Sequence, residues 1–373
     1  MKSNYDLLGN HIRLIDNRNK DLVTEEVLGI NIDKFFMPSV ANVIGTDLSK
    51  YKLIQKGNFA CNPMHVGRDE RLPVALYTDE KPAIVSPAYF MFEIKDKTVL
   101  DAEFLMMWFR RPEFDRICWL HTDGSVRGGI TWDDICRMEI PVPTMEEQLE
   151  IVNAYKAITD RIALKKQIND NLEATGLAIF KEISKEKPSE SVLSDYCDFQ
   201  EGYVNPPQEF PQYFDGNVKW LRGVDFSSPI IINTSRTLTD EGFNSAGKSA
   251  LLFEPNTIVI TKSGTIGKLG IIADYMCGNR ATINIKPKRK DLFPFVYFFL
   301  KSIQPQFYDM AVGSAQVNLY VSVLQQIACP KYDDSFEKFT SQAAILLGEL
   351  LENSKEIIYL SELQGIILGE LSR

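Results

Sequence analysis

The sequence predicts an α+β fold with two similar domains, each followed by a long helix. Three observations lead to this prediction. Related runs recur about 190 residues apart, each copy is followed by a segment with almost no Gly or Pro, and those segments place apolar residues at helical 3/4 spacing. With 373 residues, of which 45% are hydrophobic and 24% charged, the chain is long enough to form two cores of ordinary size.

The duplication is clearest at the end of each copy, where GSVRGGITWDDICRMEIP (124–141) matches GSAQVNLYVSVLQQIACP (313–330) at a constant offset of 189 residues. Upstream, the matching pairs are LGNHIRL (8–14) with LSDYCDF (193–199), GNFA (57–60) with PNTI (255–258), and FLMMWFR (104–110) with FVYFFLK (295–301). Such a long repeat is a duplicated domain, because solenoid units have about 20 to 50 residues. We therefore expect a first domain at 1–144, a central helix at 145–187, a second domain at 188–332 and a C-terminal helix at 333–373.

The two long segments predict helices that need a partner, because each carries an extended apolar stripe. In the second helix the stripe comprises Phe336, Phe339, Ala343, Leu346, Leu350, Ile357, Leu360, Ile367 and Leu371, interrupted by Asn353 and Gln364. In the first it comprises Ile151, Tyr155, Ile158, Ile162, Leu172, Ile179 and Ile183, interrupted by Lys165, Asn169 and Gly176. We expect an antiparallel coiled coil with pseudo-twofold placement of the domains at its two ends. The alternative is that each helix packs only on its own domain.

The charge of the chain does not settle whether it binds nucleic acid. A net charge of −9 argues against DNA, which is bound through Lys and Arg. However, much of the excess acid lies in 333–373, and the stretch from Lys262 to Lys301 holds eight basic residues against two acidic ones. That stretch suits phosphates, although a solvated surface is the alternative interpretation.

The cysteines and the apolar runs indicate the cellular compartment of the protein. The six cysteines are far apart and form no CxxC pair, which is typical of reduced core thiols. No apolar run approaches the roughly 18 residues needed to span a membrane. We therefore expect a soluble, cytoplasmic protein.

Two runs resemble catalytic motifs, but their contexts argue against an enzyme. GFNSAGKS (242–249) has the letters of a phosphate-binding loop, yet polar residues precede it and Pro255 follows too soon for the helix that such a loop must open. VNPPQEF (204–210) resembles an aminomethyltransferase signature, yet Gln208 stands where those enzymes have a base-stacking aromatic residue. We find no glycine-rich AdoMet loop.

A third pattern is the nuclease-like outline of Asp79 with Glu93 and Lys95, whose residue types are common enough to match by chance. The three histidines show no metal-binding spacing, and no nucleophile elbow is present. These observations favour a binding protein over an enzyme, with no catalytic, cofactor-binding or metal-binding residues.

Several runs resemble the specificity (S) subunits of type I restriction-modification systems. IPVPTMEEQLEIVNAY (140–155) is similar to the run that closes a recognition domain and opens the conserved helix in that family. GNFACNPMHVGRDERLPVALYTDEKPAIVSPAYFMF (57–92) and DGSVRGGITWDDI (123–135) resemble one class of its target recognition domains, whereas SDYCDFQEGY (194–203), ITKSGTIGKLGII (260–272) and GSAQVNL (313–319) resemble another. The second copy departs at its closing CPKYDDSFEKF, which lacks the P-x-P and Glu-Gln elements.

The resemblance implies a non-catalytic subunit that reads a bipartite double-stranded DNA target, one half-site per recognition domain. It implies docking to two modification (methyltransferase) subunits, which would supply AdoMet, and to restriction (motor-nuclease) subunits, which would use ATP and Mg. Such a complex modifies DNA and defends against foreign DNA, and this chain itself would hold no cofactor. Two alternatives remain, namely a DNA adenine methyltransferase with its own recognition domain and a coiled-coil scaffold for proteins. The missing AdoMet loop argues against the first, and the basic stretch against the second.

Polar loop residues at matching places in the two copies are the candidates for DNA contact. Glycines between Lys262 and Lys268 let the backbone approach a phosphate, and Gln316 and Asn318 can pair with adenine. Arg127, which aligns with Gln316, can pair with guanine. The full set comprises Asn62, His65, Arg68, Arg71, Arg127, Lys262, Ser263, Thr265, Lys268, Arg280, Gln316 and Asn318. For each residue alone, a turn or a surface charge is the alternative.

Overall fold

The chain divides into two units, and the division falls inside its two long helices. The computed structural model describes residues 5–41, 43–64, 66–122, 128–313 and 317–371. Unit 1 comprises Met1–Arg161 with Leu360–Arg373, and unit 2 comprises Ile162–Tyr359.

Short strands and helices make up most of unit 1. Its strands are β1 (Tyr5–Leu7), β2 (Ile12–Leu14), β3 (Val27–Ile30), β4 (Phe36–Pro38), β5 (Lys52–Ile54), β6 (Phe59–Cys61), β7 (Val74–Leu76), β8 (Ala83–Val85), β9 (Phe90–Ile94) and β10 (Glu139–Pro141). Its helices are α1 (Leu8–His11), α2 (Val66–Asp69), α3 (Ala102–Phe109), α4 (Pro112–Leu120) and α5 (Trp132–Cys136), followed by α6 (Met145–Ser184).

Two four-stranded sheets form the body of unit 1. One has the order β2-β9-β6-β7 with antiparallel neighbours, and the other has the order β4-β3-β8-β5 with a parallel β3–β8 pair. Strand β1 pairs with β10, so the start of the domain lies beside its end. The core includes the stacked rings of Phe59 and Phe92, 5.0 Å apart, against which the ring of Phe109 from α3 packs edge-on.

Unit 2 contains the second set of strands and helices. Its strands are β11 (Ser191–Val192), β12 (Cys197–Glu201), β13 (Phe214–Leu221), β14 (Ile230–Ile231), β15 (Thr237–Leu238), β16 (Leu252–Phe253), β17 (Thr257–Thr261), β18 (Leu269–Ile272), β19 (Met276–Gly278), β20 (Thr282–Pro287) and β21 (Ala328–Cys329). Its helices are α7 (Leu193–Tyr196), α8 (Asp240–Asn244), α9 (Phe293–Ile303), α10 (Phe307–Met310) and α11 (Val321–Gln325), followed by α12 (Asp334–Glu370).

The sheets of unit 2 repeat the topology of unit 1. The order β12-β20-β17-β18 corresponds to β2-β9-β6-β7, and β15-β13-β19-β16 corresponds to β4-β3-β8-β5, including the parallel β13–β19 pair. Strands β11 and β21 pair as β1 and β10 do. The main difference is β14, which extends the first sheet of unit 2 beside β18. The predicted α+β duplication is therefore confirmed.

The strand register corrects one of the aligned pairs of runs. Gly57 and Asn256 each have a positive φ (86° and 60°), and each donates its backbone N–H across the same hairpin, to Tyr77 O and Ile272 O at 2.8 Å. GNFA therefore corresponds to residues 256–259, one residue later than the sequence alignment placed it. The structural reason is the left-handed turn, which favours Gly or Asn at this position.

Different residues start the two long helices in equivalent places. Thr144 and Glu147 form a capping box before α6, with each side chain accepting a hydrogen bond from the other's backbone N–H (3.4 and 2.9 Å). The neighbouring Gln148 is fully buried and bonds to Asp101 N, Val99 O and Pro143 O. At α12, Asp333 caps the helix by accepting from Ser335 N and Phe336 N. An Asp cap thus replaces the Glu-Gln pair that the second copy lacks.

Helices α6 and α12 pair antiparallel, as the sequence predicted. In unit 1, Gln364 Nε2 donates to Thr159 Oγ1 at 2.6 Å. In unit 2, the ring of Phe180 packs against those of Phe336 and Phe339, at 5.5 and 5.6 Å. Residue numbers rise along α6 as they fall along α12, which defines the antiparallel direction.

Two positions of the predicted apolar stripes are wrong by one residue. Leu347 is buried where Leu346 was expected, and Phe180 is buried where Ile179 was expected, since Ile179 is 37% exposed. Both shifts lie next to the globular part of unit 2, where the helices bury side chains against β-sheet and α9 residues as well as against each other. A single 3/4 pattern does not describe a helix with two partners.

The residues that interrupt the apolar stripes pair with one another. Lys165 Nζ donates to Asn353 Oδ1 (2.7 Å), Asn353 Nδ2 donates to Asn169 Oδ1 (3.0 Å), and Asn169 Nδ2 donates to Ser354 Oγ (3.2 Å). We call these four residues the polar layer. Asn169, Asn353 and Ser354 are buried, and Lys165 also pairs with Glu356 at 2.9 Å.

The third interruption, Gly176, allows a close contact within unit 2. A Cβ at Gly176 would lie 2.3 Å from the ring of Phe298 in α9. Nearby, Glu173 accepts a hydrogen bond from the buried hydroxyl of Tyr297 and pairs with Lys301 at 3.0 Å. The central helix is therefore anchored to the second domain by a glycine contact and a half-buried carboxylate.

Candidate nucleic-acid interface

The loop 262–268 of unit 2 is held in a tight turn between β17 and β18. Gly264 and Gly267 have φ values of 72° and 83°, which strongly favour glycine. Thr261 organises the turn, because its hydroxyl donates to Thr265 O and accepts from Lys268 N at 2.9 Å. A Cβ at Gly264 would meet nothing within 4 Å, so the tip of the loop is open. Ser263 is half-buried and Thr265 is exposed.

Two other segments of unit 2 meet the base of this loop. Lys262 N donates to Ala281 O at 2.8 Å, and Leu319 N donates to Lys262 O at 2.9 Å. Asn318 is half-buried, and its backbone pairs with Val312. The predicted contacts Lys262, Arg280 and Asn318 therefore belong to neighbouring segments, whereas Gln316 lies outside the described residues.

The charges at this surface differ from those that the sequence predicted. Lys262 Nζ pairs with Glu201 Oε2 at 3.2 Å, and the Lys262 side chain is only 15% exposed. Lys268 is half-buried and Arg280 is exposed, and neither pairs with a carboxylate among the described residues. Lys268 and Arg280 thus carry charges that no described carboxylate compensates, whereas the charge of Lys262 is compensated by Glu201.

The basic stretch from Lys262 to Lys301 is less positive in the fold than in the sequence. Glu201, Glu254 and Glu173, which all lie outside the stretch, pair with Lys262, Lys286 and Lys301 at 3.2, 2.8 and 3.0 Å. Inside the stretch, Arg289 pairs with Asp291. A count along the sequence overestimated the positive surface because folding adds these distant carboxylates.

The equivalent loop of unit 1 is fixed by similar contacts. Asn62 N donates to Pro73 O, and Asn62 Oδ1 accepts from Met64 N at 3.1 Å. Ile130 N donates to Pro63 O at 3.1 Å, and Gly67 N donates to Gly128 O at 3.0 Å. Asn62 is half-buried and oriented by its own turn. His65 and Arg127 lie outside the described residues.

The two arginines predicted in this loop have different environments. Arg68 is exposed and forms two bonds to the adjacent Asp69, at 2.6 and 2.9 Å. Arg71 pairs with Asp33 at 2.9 Å and approaches Asp115 at 3.5 Å. Arg68 can exchange Asp69 for another anion. Arg71 instead belongs to a cluster of ion pairs with Asp33 and Asp115, which holds neighbouring segments together.

A buried lysine lies at the centre of that cluster. The side chain of Lys34 is 2% exposed, and its Nζ donates to Asp115 Oδ1 and to Phe109 O, both at 2.6 Å. Burial lowers the pKa of Lys34, and the negative charge of Asp115 opposes this shift. Asp115 Oδ1 also accepts from Leu72 N at 3.1 Å. The cluster therefore fixes the end of the candidate loop, a role that sequence reasoning missed.

One backbone hydrogen bond, which we call the clasp, recurs in the two units. Pro63 O accepts from Ile130 N in unit 1, and Lys262 O accepts from Leu319 N in unit 2. Ile130 and Leu319 are one of the pairs aligned at the offset of 189 residues. In unit 1 the clasp therefore joins the loop after β6 to the segment before α5. In unit 2 it joins the loop after β17 to the segment before α11.

The motif-like runs take part in ordinary structure. Gly247–Ser249, the end of GFNSAGKS, forms a short 3-10 turn that is followed by β16, where a phosphate loop would open a helix. Gln208 in VNPPQEF accepts from Arg236 at 2.6 Å. Glu93 pairs with Arg13, and Lys95 donates to Gly9 O. These polar groups hold neighbouring segments together.

Among the residues that the structure describes, no helix has both the length and the apolar character required to cross a bilayer.

Comparison with known proteins relates this architecture to a family. The model of the type I restriction modification DNA specificity domain matches residues 73–174 and 189–330. The MjaIX specificity subunit of a type I restriction enzyme from Methanocaldococcus jannaschii is 23% identical over 160 residues, 42% of this chain. That match spans 37% of the relative's length, just over a third.

A solved structure agrees with the fold. The S subunit of a type I restriction-modification system from M. genitalium has a TM-score of 0.58 at 16% identity, with 98% of this chain and 95% of that chain covered. At this identity the likeness concerns the fold alone. The family match in turn supports the prediction of a non-catalytic specificity subunit without a cofactor of its own. Because the family model covers more than half of the 373 residues, in one segment from each half of the chain, this protein belongs to the type I restriction-modification DNA specificity family.

Proposed function

We propose that this chain reads a bipartite double-stranded DNA target, with one half-site read by each of its two repeated domains. The observation that carries the proposal is the clasp that recurs in both units, Pro63 with Ile130 and Lys262 with Leu319. In each copy the clasp joins the loops that hold the polar candidates. Two similar surfaces with different side chains can read two different base sequences.

The candidates divide into phosphate and base contacts. Lys268 and Arg280 in unit 2 and Arg68 in unit 1 have the charge to hold phosphates, and Ser263 and Thr265 lie in the glycine-rich turn that precedes Lys268. For the bases, the proposed readers are Arg127 for guanine and Gln316 with Asn318 for adenine, and Asn62 and His65 are further proposed contacts of the first copy.

The chain is further proposed to dock two modification (methyltransferase) subunits and the restriction (motor-nuclease) subunits of such a system. Those partners would supply AdoMet, ATP and Mg, and the assembly would work in the cytoplasm. Support comes from the exposed apolar side chains along α12, since Ile345, Tyr359 and Ile366 are 60 to 69% exposed. Exposed apolar side chains on a paired helix suit a protein partner.

Methylome sequencing of cells that express the chain with its modification subunit tests the proposal. We expect methylation at a motif with two specified blocks and an unread gap. Arg127→Ala should relax one block and Gln316→Ala the other, each at a cost of about 1 to 3 kcal/mol for the lost base contact. A contiguous motif, or equal damage to both blocks by either variant, would contradict reading by two separate domains.

The length of the gap offers a second test, because we propose that the paired helices set it. Four residues inserted between Ile162 and Lys165 in α6, and four between Glu356 and Leu360 in α12, leave the polar layer and the Thr159–Gln364 pair intact. Each insertion adds about 6 Å of helix. The gap should grow by about one or two base pairs, at about 3.4 Å each. Full methylation with an unchanged gap would show that the helices do not set the distance.

A further inference from the structure

The carboxylate of Glu201 lies beside the loops of unit 2 that hold the candidate DNA contacts. Glu201 is the last residue of β12, opposite Ile283 in β20, and its side chain is 20% exposed. Its Oε2 accepts a hydrogen bond from the Tyr203 hydroxyl at 2.7 Å and pairs with Lys262 Nζ at 3.2 Å. Both Glu201 partners thus hold the same oxygen.

The backbone beside Glu201 is fixed without these side chains. Gly202 N donates to Thr282 O at 2.9 Å, and a Cβ at Gly202 would lie 2.3 Å from Asn279 O. Lys262 is independently held by its backbone bonds to Ala281 and Leu319. The Glu201–Lys262 pair is therefore not needed to close the loop. What it does is fix the orientation of the carboxylate, whose Oε1 has no hydrogen-bond partner among the described residues.

A carboxylate beside loops that hold DNA repels phosphates, and here the charge of Lys262 offsets that repulsion while one carboxylate oxygen stays available as an acceptor. An ionised carboxylate accepts hydrogen bonds and cannot donate them. In the major groove it can accept from cytosine N4 or adenine N6, whereas guanine O6 and thymine O4 are acceptors that it repels.

Unit 1 also has a carboxylate at this position of the fold, although its partners differ. Pairing starts at Ile12 with Ile94 in unit 1 and at Cys197 with Pro287 in unit 2. Asp16 and Glu201 each lie four residues beyond that start. Asp16 also contacts two cations, Arg18 at 2.7 Å and Lys52 at 3.7 Å. Both copies thus place a cation-bound carboxylate at one position of the fold.

From this geometry we infer that Glu201 reads an exocyclic amino group, cytosine N4 or adenine N6, in the half-site of unit 2. Tyr203 and Lys262 are positioning residues that direct Oε1 towards the base. This inference rests on the proposed function, and it adds a base-reading residue that is acidic. It also gives Lys262 a role as the partner of Glu201 rather than of a phosphate.

Glu201→Gln in the full complex with the modification subunit tests the inference. The amide keeps the shape and still accepts a hydrogen bond, but it adds a donor that can reach guanine O6 or thymine O4, so one position of one block should now also tolerate guanine or thymine. Discrimination against these two bases at that position should fall about 5- to 150-fold, which corresponds to one base contact. Binding to unrelated DNA should not fall. Tyr203→Phe should relax the same position more weakly, because it removes only a positioning hydrogen bond.

The control is Asp16→Asn, which should leave the unit 2 block unchanged. A purely structural ion pair would give a different result for Glu201→Gln, because releasing the charge of Lys262 would strengthen binding to all DNA and leave the motif intact. That result would overturn the inference. If Glu201→Gln fails to fold, an unchanged motif with Tyr203→Phe overturns it instead. Absence of any two-block methylation with the wild-type chain would refute the proposed function itself.

Discussion

The polar layer predicts that Asn169 and Asn353 are strongly coupled. In the structure Asn353 Nδ2 donates to Asn169 Oδ1 inside a helix interface where Asn169 and Asn353 are only 6% and 4% exposed. Replacing one asparagine with leucine leaves that atom of the other without its partner, while the other amide atom keeps its bond to Ser354 or Lys165. A buried group without a hydrogen bond costs about 1 to 3 kcal/mol. Replacing both removes the unsatisfied groups, and Ser354 keeps its bond to Leu350 O at 2.7 Å.

We therefore expect the double variant Asn169→Leu/Asn353→Leu to be more stable than the sum of the two single effects by about 2 kcal/mol. The gain from burying leucine enters the single and the double variants alike, so it cancels in this comparison. Hydrogen–deuterium exchange of peptides from α6 and α12 measures the opening free energy locally, which avoids assuming two-state unfolding for a protein with two units.

The matched control is Asn171, which is exposed on α6 two residues from Asn169. Asn171→Leu combined with Asn353→Leu should be additive within about 0.5 kcal/mol. If the buried pair is equally additive, the hydrogen bonds of the polar layer do not couple the helices, and our explanation of the interrupted stripes is refuted.

Three further predictions concern packing, charge and thiol chemistry. Gly176→Ala should destabilise unit 2 by about 1 to 3 kcal/mol, because its methyl group would overlap an aromatic ring. Gly348→Ala on an open helix face should stabilise unit 2 by about 1 kcal/mol, and hydrogen–deuterium exchange of unit 2 peptides measures both effects. Arg280→Ala should weaken binding to all DNA sequences and lower by about one the slope of log affinity against log salt concentration. Lys262→Ala should change that slope less, because the charge of Lys262 is already paired with Glu201. Equal slopes for the two variants in a salt titration would contradict this assignment. Iodoacetamide at pH 8 should label Cys136 before the other five cysteines, because those five are buried. Mass spectrometry measures the labelling of each cysteine, and equal labelling of all six in the native chain would refute this expectation.

The pKa values of the thiols explain that order of labelling. Burial raises the pKa of Cys61, Cys277 and Cys329 to about 12, so these three residues hold almost no thiolate at pH 8. Burial also raises the pKa of Cys136, but this residue is only half-buried and remains accessible to the reagent. Labelling of the other thiols therefore requires the protein to open.

The duplication and the paired helices were predictable because both follow from periodic patterns in the sequence. Asn353 and Lys165 were visible as interruptions of apolar stripes, but the sequence did not show that they bond to each other. That pairing depends on the antiparallel register, which side-chain spacing along one helix does not define. The one-residue error at Gly57 and Asn256 has a similar origin, since two residue types serve the same left-handed turn.

The candidate site was harder to predict than the fold. Ion pairs join residues far apart in sequence, so the partner of Lys262 was found only in the structure. Glu201 was overlooked because acidic residues were counted as unfavourable for DNA binding, although it lies within the run SDYCDFQEGY together with Tyr203. Arg71 was predicted to contact DNA from its place in a polar loop, and its ion pairs with Asp33 and Asp115 became visible only in the fold.

The pairing of the first and last strands of each domain has a consequence for how such proteins can change. Leu7 lies opposite Glu139, and Val192 lies opposite Ala328, so the chain enters and leaves each domain at adjacent backbone positions. Partners in an antiparallel pair have Cα atoms about 4.5 to 5.5 Å apart. A domain with neighbouring ends can be exchanged for another of the same topology without stretching the chain at either junction. Each domain is in this sense a replaceable cassette, and a new binding preference can be acquired in one half of the chain while the other half keeps its own.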